Sequence, residues 1–384
     1  MYQPVGIRSV AVSFPSVVRT NDYFRQNYPE LVEKAEQKSL ARAFSPLEFT
    51  TTNQEVDLWT QEMMPYLSDP FRGIIERRVL SSTESSLTLE YDAASQAIEA
   101  AKLSPEEIDV MLVTSLFPEK VVPGDAAFLA GKLGLRGAAW NLESTCTSAL
   151  VALQTACALI KAGEYRNVLV VLSTTFSRFV DENDTFSFLM GDGAGAFVVT
   201  SLEANQGVLN TKIIHTAETC NAFFNEFAID SQGNPRTFIR VGKDANKMLR
   251  DLFVKFCRNC CEDVIANAGI TLDQVDFFVS NTNTAWYSSV YTKALGIDPK
   301  RTINLNSVYA NIGAASPIAN LYHAAQLGKI RENDLVLIYT FGGTSNAGAT
   351  LIRWGDVALG PLPATSPSLM KVMAGTTITV PKNQ

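Results

Sequence analysis

Six cysteines and two histidines are spread over 384 residues, and one cysteine stands where a thiol can work. Cys146 lies in Glu143-Ser-Thr-Cys-Thr-Ser-Ala-Leu150, after a strand-like run and at the first turn of a helix. That helix sets Leu150, Leu153, Cys157 and Ile160 on one face. A helix N-terminus concentrates partial positive charge and unpaired N–H groups, which favours a thiolate and hence a nucleophile. The alternative is a thiol packed into a core. His215 ends the apolar run Ile213-Ile214, where a strand can deliver a base to a cleft. His323 falls in the middle of a helical run and reads as structural. Gly191-Asp-Gly-Ala-Gly195 and Gly342-Gly343 tolerate positive φ and close backbone approach, so each either lines a site with N–H groups or makes a tight turn. Neither has the context of a nucleotide-binding loop. Cys257, Cys260 and Cys261 share one helical face with Phe253 and Val264, without a nearby His or a second cysteine pair, and read as core rather than metal ligands.

The elements that must position Cys146 are written twice. Pro105-Glu-Glu-Ile-Asp109 leads into the apolar run Val110 to Thr114, and Leu272-Asp-Gln-Val-Asp276 leads into Phe277-Phe278-Val279. Asn141-Leu-Glu143, a small-residue turn and a helix from Ser148 to Ala162 match Asn304-Leu-Asn306, another such turn and a helix from Ala315 to Leu327. Gly163 and Gly328 close the two helices. Val168 to Leu172 and Leu335 to Tyr339 follow as strands, and both glycine-rich runs then feed a last strand. Near-continuous apolar strands alternating with helices predict α/β sheets covered on both faces. Two copies predict two similar halves, residues 1–205 and 206–354, with a site at their junction. Asn311 occupies the turn that mirrors the Cys146 turn, so pseudo-symmetry brings the two together. Outside the repeat lie residues 22–70, read either as a lid or partner-binding insertion or as a surface excursion. Residues 355–384 carry four prolines and read as a poorly ordered tail or a dimer-clasping arm.

Composition bounds the partners. Hydrophobic residues make up 46 % and charged ones 18 %, enough for a large core. The 32 basic against 39 acidic side chains give a net charge of −7, which argues against nucleic acid as the main partner. No run of about 18 apolar residues predicts a membrane span, the first residues lack the pattern of a leader, and the cysteines form no disulfide framework. A soluble enzyme in a reducing cytoplasm is the expectation.

Five motifs then carry a family resemblance: Val18-Arg-Thr-Asn21, Gly73-Ile-Ile-Glu-Arg-Arg78, Leu189-Met-Gly-Asp-Gly-Ala-Gly-Ala196, Ala310-Asn-Ile-Gly-Ala-Ala-Ser316 and Phe341-Gly-Gly343 with Gly348. In order and spacing the chain resembles the ketosynthase III (β-ketoacyl-acyl-carrier-protein synthase III) branch of the thiolase superfamily. The resemblance implies a thiolase-type αβαβα double-layered fold, a homodimer, and acyl transfer through a cysteine thioester. It implies no permanently bound cofactor, the donor acyl group riding on CoA or on the phosphopantetheine of an acyl carrier protein. Cys146 matches the acyl-accepting Cys, Asn311 the family's Asn, and the N–H groups of Cys146 and Gly343 its oxyanion hole. Asn281 stands where the family has its His, and Trp286 where it often has an Arg facing the carrier arm. Thr282, Trp286 and Arg72 are assigned to substrate binding. Arg72, Arg77 and Arg78 are candidates for a basic patch facing an acidic carrier, a salt-bridged face being the alternative.

The substitution at 281 shapes the expected chemistry. An amide donates hydrogen bonds but supplies neither a proton nor a positive charge, so acylation of Cys146 is retained while stabilising the enolate of a decarboxylating malonyl thioester is weakened. The leading expectation is an acyltransferase of specialised metabolism that passes the acyl group to a small amine, alcohol or other carbon nucleophile, with His215 as a base. The alternatives are a decarboxylating 3-oxoacyl synthase, and an inactive or half-active subunit paired with an active relative.

Overall fold

The computed structural model describes residues 3–44, 57–230 and 233–374. The first half carries β1 (Val5–Ser13), the short antiparallel pair β2 (Val17–Thr20) and β3 (Glu76–Val79), then β4 (Val110–Leu116), β5 (Ala138–Asn141), β6 (Val168–Thr175) and β7 (Asp192–Ser201). The second carries β8 (Gly207–His215), the hairpin β9 (Phe223–Ile229) and β10 (Pro235–Val241), then β11 (Phe277–Ser280), β12 (Leu335–Phe341) and β13 (Asn346–Arg353), with β14 (Ala358–Leu359) last. Helices α1 (Asn21–Asn27), α2 (Pro29–Phe44) and α3 (Leu58–Met63) fall in the insertion. Helices α4 (Ser86–Ala100), α5 (Asp125–Leu133) and α6 (Ser148–Lys161) belong to the first half. Helices α7 (Ala245–Asn267), α8 (Tyr287–Leu295), α9 (Asn306–Tyr309) and α10 (Ser316–Gln326) belong to the second, and α11 (Pro367–Met373) follows.

The repeat in the sequence is a repeat in space. One sheet runs β14-β1-β7-β6-β4-β5 and the other β8-β13-β12-β11. In each, one parallel pairing (β4 with β6, β11 with β12) is followed by two antiparallel ones (β6–β7–β1 and β12–β13–β8). Even the entry turns agree: Ser104 with Glu107, and Thr271 with Gln274, form capping boxes just before β4 and β11.

Strand alternation builds the layers. Val168, Val170 and Leu172 of β6 pack with α6, α10 and the inner face of the second sheet, while Leu169 and Val171 pack with α4 and α5 outside. Val336 and Ile338 of β12 face the same shared core, and Leu337, Tyr339 and Phe341 face α7 and α8. Period-two strands buried on both faces, with α6 and α10 between the sheets, give the αβαβα arrangement. Cys257, Cys260 and Cys261 are fully buried on α7 in the outer layer, and no group of residues suited to holding a metal occurs among the described residues.

Two expectations need correction. Residues 355–374 are not a loose tail: β14 pairs with β1, Tyr322 Oη donates to the carbonyls of Gly360 and Pro361, and Leu369 is buried. Residues 375–384 lie outside the described residues. Arg77 and Arg78 offer no surface for a carrier, because both are buried in β3. Arg77 donates to Arg19 O, Asn21 Oδ1 and Phe188 O and sits over the Phe24 ring, and burial lowers its guanidinium to about 9. Arg78 donates to Pro15 O and Ala364 O. The described parts of the insertion pack inward: Phe24 meets Phe71 and Phe188, and Trp59 meets Phe253, Trp286 and Tyr287. Positions 45–56 of it lie outside the described residues. Among the described residues no helix is long and apolar enough to cross a membrane.

Candidate active site

Cys146 sits in a single 3₁₀ turn, Thr145–Thr147, that feeds α6. The residue before it, Thr145, is forced to φ +47, a left-handed conformation that a β-branched residue adopts only when its surroundings hold it there. The holding bonds are visible. Thr145 Oγ1 donates to Gly342 O at 2.8 Å, Thr147 Oγ1 donates to Asn346 O, and Asn346 Nδ2 donates to Ser144 Oγ. This stitches the Cys146 turn of the first half to the β12–β13 turn of the second. Gly342 makes the approach possible, since a Cβ there would lie 2.4 Å from Thr145 Oγ1.

Gly343 follows at φ +60, in a tight turn in which Thr344 N–H donates to Gly342 O. Among the described residues neither the Cys146 nor the Gly343 amide N–H has a backbone acceptor. Both residues line one cavity of about 2400 Å³. Two backbone donors without a backbone acceptor, on one cavity wall with a thiol, are suited to the oxygen of a thioester as it takes on negative charge.

The mirrored turn delivers Asn311. Ala310, directly before it, has φ +58, so both repeat turns place strain one residue ahead of the side chain they present. Asn311 N–H donates to Leu189 O, Gly191 N–H donates to Asn311 O, and the side-chain Oδ1 accepts from Gly313 N–H. With Oδ1 so occupied, Nδ2 is the end left for a ligand, and Asn311 lines the same cavity. A Cβ on Gly191 would fall 2.2 Å from Tyr309 O. Gly191→Ala is therefore expected to destabilise the protein by about 1–3 kcal/mol and to loosen the Asn311 turn. A urea-unfolding midpoint unchanged from wild type would show that the strands part without cost.

Asn281 does not face the thiol as an acid or base would. It is fully buried, its Nδ2 donates to Phe341 O and its Oδ1 accepts from Phe341 N–H, both at 3.0 Å, so the side chain extends the β11–β12 ladder. The amide that reaches the sulfur is Asn283, whose Nδ2 lies 3.7 Å from Cys146 Sγ. Its Oδ1 is buried without a partner among the described residues, the condition of a group awaiting a donor. The signal in the sequence is the second amide of Asn-Thr-Asn, which lies past the end of β11 where the chain bends toward the thiol.

Thr282, expected at the substrate, is buried against Ser316 and Asn320 and does not line the cavity. Trp286 and Arg72 do line it; Arg72 donates to Tyr66 O and Leu67 O. His215 is exposed at the end of β8 and outside the cavity wall, so it is not placed to act as the base. The strand delivers it to the exposed edge of the second sheet rather than to the cavity. His323 is buried against Tyr309 Oη, and burial lowers it to about 4.

Electrostatics also departs from the helix-terminus expectation. Enclosure of the sulfur pushes the Cys146 thiol up to about 11; the bond from Asn283 lowers it, and the nearby Glu143 charge raises it again. A short N-terminal turn does not outweigh desolvation of a thiolate. Tyr287, buried beside Cys146, is held well above its ordinary range by burial and by that neighbour, and stays a neutral hydroxyl.

Comparison with known proteins follows the same outline. The family described as 3-oxoacyl-[acyl-carrier-protein (ACP)] synthase III matches residues 140–217, its C-terminal counterpart residues 265–354, and the N-terminal domain of beta-ketoacyl synthases residues 85–178. The chain is 33 % identical over 287 residues to a beta-ketoacyl-[acyl-carrier-protein] synthase III of Chelativorans sp., covering 73 % of this chain and 88 % of that protein. It is 32 % identical over 293 residues to the protein of the same name from Rhizobium meliloti, with the same coverage. The crystal structure of 3-oxoacyl-[acyl-carrier-protein] synthase III from Aquifex aeolicus superposes with a TM-score of 0.72 at 26 % identity, over 91 % of this chain and all of the other.

Proposed function

The chain belongs to the 3-oxoacyl-[acyl-carrier-protein] synthase III family, and we propose that it takes an acyl group from a CoA or carrier-protein thioester onto Cys146 and passes it to an acceptor other than a malonyl thioester. One observation carries this: the side chain that reaches Cys146 Sγ is the Asn283 amide, the Cys146 and Gly343 N–H groups line the same cavity without a backbone acceptor, and neither histidine lines it. Those donors suffice to hold the oxygen of a thioester under attack. Decarboxylation of a malonyl group asks for more, because the enolate it leaves gains from a nearby acid or positive charge. Neutral amides at 283 and 311 supply only hydrogen bonds.

The opening onto the sulfur speaks against a silent subunit. Cys146 is partly exposed to a cavity far larger than the ~300–1,000 Å³ of an ordinary ligand pocket, which gives room for an acyl chain and a carrier arm together. Phe117, Phe176 and Met190 supply an apolar branch for the chain. Lys243, just before α7, and Lys247 and Arg250 on it line the cavity and supply positive charge for the donor's phosphates. The homodimer and cytoplasmic location implied by the resemblance belong to the same proposal, as does a role in specialised metabolism. The six free cysteines suit a reducing compartment, and the open edge strand β5, with Trp140 exposed, suits pairing with a second copy.

The test is intact-protein mass spectrometry after incubation with acyl-CoA and acyl-carrier thioesters, comparing wild type with Cys146→Ala. A mass gain confined to the wild type is expected. Adding malonyl thioester to the acylated enzyme should then leave the label in place; its discharge with release of CO₂ would instead establish condensation. No label from any donor would remove the acyl-enzyme reading altogether.

A further inference from the structure

An acyl group cannot enter or leave a cysteine without a proton moving, and the proton carrier is missing from the positions where a histidine would stand. Enclosure pushes the Cys146 thiol up, so at neutral pH it attacks mainly as S–H. The S–H proton must therefore be taken as the S–C bond forms. Asn281 is committed to the Phe341 backbone, His215 is outside the cavity and His323 is buried in a helix. The amides of Asn283 and Asn311 do not accept a proton at neutral pH.

Among the described residues four carboxylates line the cavity: Asp57, Glu143, Asp244 and Asp251. Asp57 caps α3, accepting from Thr60 N–H and Oγ1. Asp244 and Asp251 lie at the start of α7 among the cavity-lining lysines and arginine. Glu143 alone belongs to the Cys146 turn, three residues ahead of the thiol. Its Oε1 accepts from the N–H of the strained Thr145, which holds the carboxylate on the same turn and the same cavity wall as the thiol, close enough for its charge to be felt there, while leaving Oε2 outside that bond.

We propose that Glu143 is the proton acceptor of the acyl-transfer site, doing for Cys146 and for the incoming acceptor what an imidazole would do. The inference rests on the acyl-Cys146 reading above. In the first half-reaction Sγ bonds to the thioester carbon, the carbonyl electrons move onto the oxygen between the Cys146 and Gly343 amides, and the S–H proton passes to Glu143. Collapse breaks the donor's C–S bond, and the proton goes from Glu143 to the departing thiolate. In the second, an N–H or O–H nucleophile attacks the acyl carbon and gives its proton to Glu143; collapse expels Cys146 sulfur, which takes the proton back. A carboxylate is a weak base towards a free thiol, but the proton grows acidic as the S–C or N–C bond forms, so a concerted transfer suits it. The chemistry selects an amine or alcohol as the acceptor class, because each brings a proton that must be removed. The orphaned Asn283 Oδ1 offers that N–H or O–H a place to bond.

The test uses two reactions of one thiol that a proton acceptor and a mere neighbouring charge would move differently. Glu143→Gln keeps an oxygen for the Thr145 N–H but cannot take a proton. Acylation by whichever donor best labels the wild type is expected to slow by about 10²–10³-fold, within the usual range for a general base. Alkylation of Cys146 by iodoacetamide is expected to speed up, because a negative charge beside the thiolate is gone. Faster reaction in both, or acylation within threefold of wild type, would overturn the proposal and leave Glu143 as a passive charge. If both slow, Glu143→Asp decides: recovery of acylation at least tenfold above Glu143→Gln supports the carboxylate, and equal slowness overturns it in favour of a purely structural role. A wild type that no donor labels overturns the acyl-Cys146 reading and this one with it, which separates that failure from failure of Glu143 alone.

Discussion

Asn283→Ala is expected to lower the rate of Cys146 acylation by about 10–10²-fold, the cost of losing a hydrogen bond to a sulfur that carries negative charge as it attacks (~1.5–3 kcal/mol), with little change in stability. The side chain gives Nδ2 to the sulfur and leaves Oδ1 buried without a partner. Deleting it removes a catalytic contact and, with it, an unsatisfied oxygen whose burial was already unfavourable. Asn281→Ala should do the reverse. That amide donates to Phe341 O and accepts from Phe341 N–H in a fully buried position. Its loss strands both backbone groups at about 1–3 kcal/mol each.

The two variants therefore separate the residue aligned with a family histidine from the residue that touches the thiol. Mass-spectrometric labelling rates and urea midpoints, measured on both, give four numbers. If Asn281→Ala proved stable and slow while Asn283→Ala proved fast, the assignment of the working amide to Asn283 would be wrong.

Much of this geometry is legible in the sequence, and the reason is local. Strand, small-residue turn, helix and closing glycine are each set by short-range pattern, and their second appearance fixes two sheets that share a middle layer of α6 and α10. Pseudo-symmetry then brings the Cys146 and Asn311 turns to one cavity without further information. Long-range partners decided what was not legible. Arg77 and Arg78 look like surface charge until Phe188 and Ala364, more than a hundred residues away, close over them. His215 ends a strand as expected, but the facing direction of that end depends on its pairing with Asn346. The raised Cys146 thiol reflects enclosure by both halves, which outweighs the helix terminus that the sequence displays. Residues 355–374 look like a tail because their bonds to β1 and Tyr322 are invisible in a stretch rich in proline.

The largest expected stability effect lies beneath the site, at Glu90 of α4. Its Oε1 accepts from Ser115 Oγ and Ser173 Oγ, both at 2.6 Å, and those serines are register partners on β4 and β6. Its Oε2 is buried with no partner among the described residues. Burial first, and the Asp125 charge second, push the carboxyl up to about 8 despite the opposing serine bonds. Between about 4.5 and 8 the folded protein thus holds a proton that the unfolded chain has released, so the folded state binds more protons and stability falls as pH rises through that window. The slope reaches at most about 1.4 kcal/mol per pH unit, for a ceiling on the order of 4–5 kcal/mol by pH 8. Asp192, raised to about 6 chiefly by burial, adds a slope of the same sign at the acid end. Glu90→Gln keeps an oxygen for both serines and cannot ionise. Its urea midpoint should gain on that of wild type steadily from pH 6 to pH 8 and stop gaining above it. Parallel curves would mean that Glu90 is solvated in the folded protein. A protein that accepts such a cost gains a neutral clamp across the ends of β4 and β6, and Ser115 carries that clamp to the cavity wall on which Cys146 opens.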